Sequence, residues 1–251
     1  MQTRHKILLW ALLILACSAT GIAIAYNSNR QAPAIEEIPV LEYEYLSPHV
    51  TLSDYDDYFR EAADSIELDW LLIAAVAYTE SRFDSTAVSS VGACGVMQMM
   101  PKTLSGLDIP DSLHADNRHN IHASARYLKS LFYIFRKVKN YDERINFVLA
   151  SYNAGYGHIM DAMRLANKFG YNRNIWKGNV DSFLIKKSIP EYYTDSLCRN
   201  GEFKDWKQTL SFVNKVKRNW NRFNKMQQEY ADSINAVMAA DTLKRLMRSY
   251  N

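Results

Sequence analysis

Residues 69–101 decide the fold, and they read DWLLIAAVAYTESRFDSTAVSSVGACGVMQMMP. The first third of this stretch is apolar on almost every side, which predicts a central buried helix over residues 69–81. The remainder is rich in Gly, Ser and other small residues and predicts a loop. A single carboxylate, Glu80, lies where the apolar run meets that loop. Carboxylates are almost never fully buried without a partner, so this position calls for an explanation.

The helical spacing places Glu80 on an apolar face. Ile73, Val76 and Ala77 precede it by seven, four and three residues and therefore share its side of the helix. Such neighbours stabilise the neutral carboxyl, and so does the nearby helix C-terminus; both effects predict a raised pKa. A raised pKa suits a general acid near neutral pH. The ordinary alternative is a surface glutamate paired with a cation such as Arg82.

The flanking sequence predicts a mainly α domain. Residues 53–68 begin with Ser53 as an N-cap candidate, followed by acidic residues in the first turn. Gly155 and Gly170 each end a helical pattern at the C′ position. Residues 171–203 are expected to be irregular because they contain Gly and Pro. Apolar residues at three- and four-residue steps predict further helices over residues 120–138, 142–154, 158–169, 203–223 and 227–250, with a short helix after Pro101.

The bulk composition limits the class of protein. The chain has 251 residues, of which 48% are hydrophobic, enough for one good-sized core and one domain or two. Its net charge of +3 is too small to argue for nucleic acid, and we expect no nucleic-acid partner. The sequence contains neither a Gly-rich phosphate loop nor sustained strand alternation.

The N-terminus predicts a membrane attachment. Arg4, His5 and Lys6 precede the uncharged apolar residues 7–26, whose twenty residues match the thickness of a bilayer core. Cleavage before Cys17, which follows ILA, would instead leave a lipid-bearing cysteine. The apolar GIAIA that follows favours an uncut transmembrane anchor. Both interpretations place the rest of the chain in the cell envelope, facing the periplasm.

Three separated motifs resemble one enzyme family. The pattern ES.F…A.S..GA.GVMQ..P over residues 80–101, NIHASARYL over 120–128 and LASYNAGYG over 149–157 resemble the soluble-lytic-transglycosylase-like domain, in the same order and spacing. The resemblance covers roughly residues 65–225. With the anchor and the insert IPEYY…CRNGEF, the chain is most similar to the membrane-bound lytic murein transglycosylase F branch of that family.

The resemblance implies a domain organisation. We expect an anchor over residues 1–26, a linker over 27–50, a catalytic domain over 51–225 and a C-terminal helix over 226–251. The catalytic domain is expected to be a mainly α, goose-type lysozyme-like multi-helix fold with a saccharide groove. Members of the F branch carry a substrate-binding-like domain before the catalytic one, and the linker is too short to hold that domain.

The resemblance also implies an activity on peptidoglycan glycan strands, with no metal or cofactor. Glu80 corresponds to the family's single catalytic carboxylate, which protonates the β-1,4 bond between N-acetylmuramic acid and N-acetylglucosamine. It then accepts the proton of the muramic acid C6 hydroxyl as a 1,6-anhydro ring closes. Two alternatives stay open: a hydrolase on the same fold, in which water replaces that hydroxyl, and a catalytically silent glycan-binding protein.

Five further residues correspond to substrate-binding positions of the family. Ser89 matches a serine that contacts the sugar beside the acid, although a loop hydroxyl bonded to backbone is the alternative. Gln98 matches a glutamine that binds an acetamido group, and Met100 matches an apolar groove residue. Tyr152 and Asn153 match a pair at the groove floor; a purely structural role for Asn153 is the alternative.

Several positions depart from the family pattern or leave a question open. Phe212 stands where members carry a tyrosine that reaches the catalytic glutamate, and Tyr192 or Tyr193 are candidates to supply the missing hydroxyl. Cys94 replaces an often basic residue, and it is either free or paired with Cys198. His114, His119 and His122 have no standard metal-site spacing, so no metal is expected.

Overall fold

The computed structural model describes residues 49–249, with side chains to residue 244. This part of the chain is mainly helical, and the β pairing in it is limited to isolated bridges between Val88 and Cys94 and between Cys94 and Met99. The α-helices are α1 Asp56–Ile66, α2 Trp70–Ser81, α3 Pro101–Ser105, α4 Asn117–Ile134, α5 Tyr141–Ala154, α6 Tyr156–Lys168, α7 Asp181–Lys186, α8 Pro190–Tyr193 and α9 Trp206–Ser249.

Helix α2 lies at the centre, as its apolar sequence predicts. Seven consecutive residues, 71–77, are buried, because neighbouring helices cover the helix on every side. Asp69 caps the N-terminus by accepting a hydrogen bond from the backbone N–H of Leu71 at 2.9 Å. At the other end Arg82 adopts the left-handed conformation (φ 58°) and ends the helix.

The other helices pack around α2 in two groups. Helix α9 crosses both α2 and α5, and α1 packs between α2 and α4. Helices α5, α6 and α7 pack against one another in chain order. Buried side chains from all these helices except α8, including the fully buried Phe59, Phe147 and Phe183, form one continuous core. Burial of this apolar surface is the main stabilising contribution to such a fold.

The start of α1 differs from the prediction. Ser53 is not the N-cap; the helix begins at Asp56 with Tyr55 in the cap position and no side-chain cap bond. The Asp56 carboxylate instead accepts the backbone N–H groups of Leu52 and Ser53, at 2.7 and 3.0 Å, and the Ser53 hydroxyl at 2.8 Å. These bonds hold the preceding segment in a turn, so the helix starts later.

Two further helix assignments are corrected. Residues 171–203 are not wholly irregular, because they contain α7 and α8, with Gly178 at φ 71° in the turn before α7. The separate helices predicted over residues 203–223 and 227–250 are one helix, α9. No Gly or Pro occurs between residues 206 and 249 to interrupt it. Most residues of α9 from 227 to 244 are exposed.

The predicted anchor over residues 7–26, Cys17 and the linker up to residue 48 lie outside the described residues. Within residues 49–249, none of the helices combines the length and the apolar character needed to cross a bilayer.

Candidate active site

Glu80 lies in the last turn of α2 and is half-buried. Burial raises the pKa of its carboxyl from an ordinary value of 4.5 to about 8, as the apolar face predicts. Among the described residues, its carboxylate has neither a hydrogen bond nor an ion pair, and Arg82 is exposed. The alternative of a surface pair with Arg82 is therefore wrong. The carboxyl is held neutral at pH 7 by its surroundings and has no competing partner.

The loop after α2 is fastened to the helix that carries Glu80. The hydroxyl of Ser81, the next residue, donates a hydrogen bond to the Val96 carbonyl oxygen at 2.7 Å. Gly92 and Gly95 of this loop have φ of 86° and 75°, a conformation that favours glycine. Sequence analysis missed the role of Ser81. In the sequence, this role of Ser81 is indicated only by its position next to Glu80.

Asn120 of α4 holds the same loop from the other side. This fully buried side chain accepts the Met97 backbone N–H at 3.0 Å and donates to the Cys94 carbonyl oxygen at 3.2 Å. A Cβ on Gly95 would lie 3.0 Å from the Asn120 amide, so glycine there also permits a close approach. Asn120 begins the NIHASARYL motif, but its spacing alone did not indicate which segment it contacts.

The loop, α2, α3, α4, α5 and α9 line a pocket of about 370 Å³ beside Glu80. All six predicted site residues line it, together with side chains that the sequence analysis did not single out, notably Tyr127 and Gln208. Among the described residues that line this pocket, Glu80 is the one carboxylate. The predicted site residues lining the pocket are Glu80, Ser89, Gln98, Met100, Tyr152 and Asn153.

Two polar side chains of the loop, those of Ser89 and Gln98, form hydrogen bonds within the loop itself. The Ser89 hydroxyl accepts the Ala93 backbone N–H at 2.9 Å, which matches the structural alternative for this residue. The Gln98 side-chain nitrogen donates to the carbonyl oxygens of Ala87 and Gly95 at 2.9 and 3.0 Å. Its amide oxygen is therefore the atom left to receive a hydrogen bond from a ligand.

The pair at the end of α5 is also held in place. The Tyr152 hydroxyl donates to the Met97 carbonyl oxygen at 2.9 Å, and burial, followed by the nearby Glu80 carboxylate, raises the pKa of this phenol. The Asn153 amide oxygen accepts the Thr209 hydroxyl at 2.9 Å. These bonds orient the side chains and direct the Asn153 amide nitrogen toward other partners.

Phe212 does not line the pocket. It is 6% exposed and its ring is stacked on that of Tyr152, with centroids 6.2 Å apart and planes at 3°. Tyr192 and Tyr193 do not line the pocket either, which contradicts the hypothesis that one of them replaces the family tyrosine. Tyr192 packs against the rings of Phe169 and Phe183. The phenols beside Glu80 belong to Tyr127 and Tyr152.

The cysteines and histidines singled out in the sequence form neither a disulfide nor a metal site among the described residues. Cys94 and Cys198 are both free thiols. The His114 Nε2 lies 3.0 Å from the Ile109 carbonyl oxygen, and the His119 Nδ1 lies 2.7 Å from the Asp116 carboxylate. In the part of the chain that the structure describes, no group of three or more His, Cys, Asp or Glu residues is arranged to hold a metal ion.

Comparison with known proteins identifies relatives of this chain. Residues 57–175 match the family model described as the transglycosylase SLT domain. A membrane-bound lytic murein transglycosylase F from Desulfosudis oleivorans is 33% identical over 170 residues, which are 67% of this chain and 37% of that protein. One from Yersinia enterocolitica is 37% identical over 166 residues, covering 60% and 32%. The chain thus spans about a third of the length of these relatives.

Two solved structures are also similar. The 70 kDa soluble lytic transglycosylase of Escherichia coli aligns at a TM-score of 0.47 and 24% identity, covering 68% of this chain and 24% of that one. An inactive mutant of the lytic transglycosylase Slt from Pseudomonas aeruginosa aligns at 0.46 and 19% identity, covering 70% and 24%.

Proposed function

We propose, from the premise that residues 57–175 belong to the transglycosylase SLT family, that the chain is a peptidoglycan lytic transglycosylase. Its substrate is then the β-1,4 bond between N-acetylmuramic acid and N-acetylglucosamine, and its products carry 1,6-anhydro ends. The observation that carries the proposal is Glu80: a carboxyl with a pKa of about 8, in a pocket whose other described lining residues include no carboxylate. The catalytic fold is proposed to be goose-type lysozyme-like.

The first step uses Glu80 as a general acid. With a pKa of about 8 the carboxyl is protonated at neutral pH, so it can transfer its proton to the glycosidic oxygen as the C1–O bond breaks. The departing N-acetylglucosamine leaves with its O4 hydroxyl restored. Positive charge develops at C1 and the ring oxygen, close to the new Glu80 carboxylate, which stabilises it.

The second step uses the same group as a base. The carboxylate accepts the proton of the muramic acid C6 hydroxyl while that oxygen bonds to C1 and closes the 1,6-anhydro ring. Glu80 is thereby returned to its protonated form, and no water, metal or cofactor is consumed. A retaining hydrolase needs a second carboxylate as nucleophile. Here an internal hydroxyl at high effective concentration acts as the nucleophile instead, consistent with Glu80 being the one carboxylate among the described residues that line the pocket.

The remaining pocket residues are proposed to bind the sugars. The free amide oxygen of Gln98 suits the N–H of an acetamido group, and the Asn153 amide nitrogen suits a carbonyl or hydroxyl oxygen. Met100, 40% exposed in the same pocket, offers an apolar surface to a sugar face. Ser89 keeps one partner within the protein, the Ala93 N–H, and contacts the substrate with its remaining capacity. The Tyr152 hydroxyl has three partners, the Met97 carbonyl oxygen, the Met99 sulfur and the Ser124 hydroxyl, so Tyr152 is proposed to contact the substrate with its ring.

The cellular setting is proposed from the sequence and the relatives' names. The matched relatives are called membrane-bound, and residues 7–26 would supply the anchor, either as a transmembrane helix or through a lipid on Cys17. Attachment at the N-terminus would hold the catalytic domain at the membrane surface, facing peptidoglycan in the periplasm.

Muropeptide analysis tests the proposal. The full-length protein is incubated with purified sacculi, and the products are analysed by mass spectrometry. We expect 1,6-anhydro ends. Reducing ends that are one water heavier would assign the hydrolase alternative, and no new ends would favour a silent glycan-binding protein. Glu80→Gln should abolish cleavage while glycan binding persists. The exposed Glu191→Gln serves as the matched control and should cleave like the parent.

A further inference from the structure

A second pocket, of about 790 Å³, adjoins the Glu80 pocket. The two share Tyr127 and Gly155 on their walls and are therefore direct neighbours. Three of the ten described residues that line the second pocket are Lys or Arg, and none of the ten is Asp or Glu. Those lining residues are Lys102, Tyr127, Gly155, Tyr156, Gly157, His158, Met160, Arg164, Arg199 and Asn200.

Two of the cations are available to a ligand. Lys102, on α3, and Arg199, in the segment after α8, are both exposed. Neither side chain has an ion pair within residues 49–249. Arg164 differs, because it donates to the Leu197 carbonyl oxygen at 2.8 Å and to the Asp161 carboxylate. The pocket therefore presents a lysine and an arginine whose charges are not neutralised by the protein.

The wall that carries Arg199 is fixed by a buried carboxylate behind it. Asp161 accepts the backbone N–H groups of Arg199 and Asn200 at 3.0 and 2.9 Å, and the Lys187 ammonium at 2.6 Å. Asp161 and Lys187 are both fully buried. Burial alone would raise the pKa of Asp161, but these hydrogen bonds outweigh it and lower the pKa to about 2. The negative charge of Asp161 is thus neutralised by Lys187 and Arg164 inside the protein and does not repel an anion in the pocket.

The same wall depends on a glycine and a neutral histidine. A Cβ on Gly157 would lie 2.4 Å from the Asn200 side-chain oxygen, so a larger residue there would displace the Asn200 side chain. The His158 Nδ1 lies 3.1 Å from the Lys187 ammonium, which has only donors to offer. His158 therefore keeps its proton on Nε2 and is itself a hydrogen-bond donor.

We propose that this basic pocket binds the carboxylates of the peptide stem on the strand being cleaved, with Lys102 and Arg199 as their partners. The inference rests on the proposed function, because it takes muramic acid to occupy the Glu80 pocket. That sugar carries the stem on its lactyl group, and the stem carboxylates are the negative charges of the strand. An extended stem of about four residues reaches roughly 13 Å, and the two pockets are neighbours that share Tyr127 and Gly155.

The test compares two substrates with one pair of variants. Stem-bearing glycan strands and the same strands stripped of their stems by an amidase are cleaved by the full-length protein, and kcat/KM is measured from the anhydro ends formed. The double variant Lys102→Glu with Arg199→Glu reverses both pocket charges. The double variant Lys215→Glu with Arg218→Glu makes the same charge change at exposed positions of α9 outside the pocket and is the matched control.

We expect the pocket variant to lose at least tenfold more kcat/KM on stem-bearing than on stripped strands, since two charge-assisted contacts are replaced by repulsion. The control should leave the ratio between the substrates at the parental value. An equal loss on both substrates, or no loss on stem-bearing strands, overturns the inference. Stripped strands retain a lactyl carboxylate, so binding of that nearer group would also appear as an equal loss. Failure of the proposed function is distinct, because the parent would then form anhydro ends from neither substrate.

Discussion

Replacing Glu80 by Gln should stabilise the protein by an amount that grows with pH. The parental carboxyl has a pKa of about 8 in the folded chain and an ordinary value of 4.5 when unfolded. Because the folded value is raised, the contribution of this group to stability is fully present below pH 4.5 and is lost as the pH rises toward 8. Glutamine has the shape of the neutral acid and does not titrate, so the variant escapes this loss.

The size of the effect follows from the two pKa values. Each pH unit between them costs the parent about 1.4 kcal/mol of unfolding free energy. The difference between Glu80→Gln and the parent should therefore grow by about 3 kcal/mol between pH 4.5 and neutrality, and level off near 5 kcal/mol above pH 8. Few single substitutions produce changes of this size.

The assay is urea unfolding of the full-length chain in mild detergent, followed by circular dichroism at several pH values from about 4.5 to about 8.5. Glu191→Gln, at an exposed position, is the control, and its difference from the parent should not vary with pH. Parallel stability curves for Glu80→Gln and the parent would refute the reasoning, because they would mean that Glu80 titrates alike in the folded and unfolded chains.

The parent's kcat/KM for anhydro-end formation should fall about tenfold per pH unit above about pH 8, as Glu80 loses the proton it must donate; a rate still flat about two pH units higher would contradict this. Asn120→Ala should lower the unfolding free energy by about 1–3 kcal/mol and also reduce kcat/KM, since the Met97 N–H loses its buried partner; an unchanged urea midpoint would argue against a role for Asn120 in holding the loop. Phe212→Tyr should remain active and lose about 1 kcal/mol, because the stack on Tyr152 is kept while a hydroxyl enters the core; complete inactivity with a folded chain would count against this placement.

Local patterns in the sequence predicted the central part of the fold. The all-round apolar character of residues 69–81 indicated the buried helix α2, and the three- and four-residue steps located most of the others. The spacing of Ile73, Val76 and Ala77 before Glu80 predicted the raised pKa, because that argument needs only the geometry of one helix. The motifs indicated six residues that line one pocket, and their roles on substrate stay predictions.

What the sequence did not predict depends on contacts between distant segments. The bonds of Asn120 to the loop and of Asp161 to residues 199 and 200 join positions 23 or more residues apart, and no local period reveals them. Ser53 has the residue type of a cap, but the Asp56 carboxylate three residues later accepts its backbone N–H and its hydroxyl, and a local pattern does not show which of the two groups wins. Tyr192 packs against Phe169 and does not line the Glu80 pocket, because aromatic residue type alone does not distinguish a core position from a groove position.

The most direct measurement for the central claim is the titration of Glu80 itself. Full-length protein labelled with carbon-13 at the glutamate side-chain carboxyls is followed by NMR as the pH is raised, and Glu80→Gln assigns the signal by its disappearance. The account predicts a midpoint near pH 8, with the carboxyl neutral at pH 7 and ready to protonate a glycosidic oxygen. A midpoint near 4.5, the ordinary value for a glutamate, would contradict it.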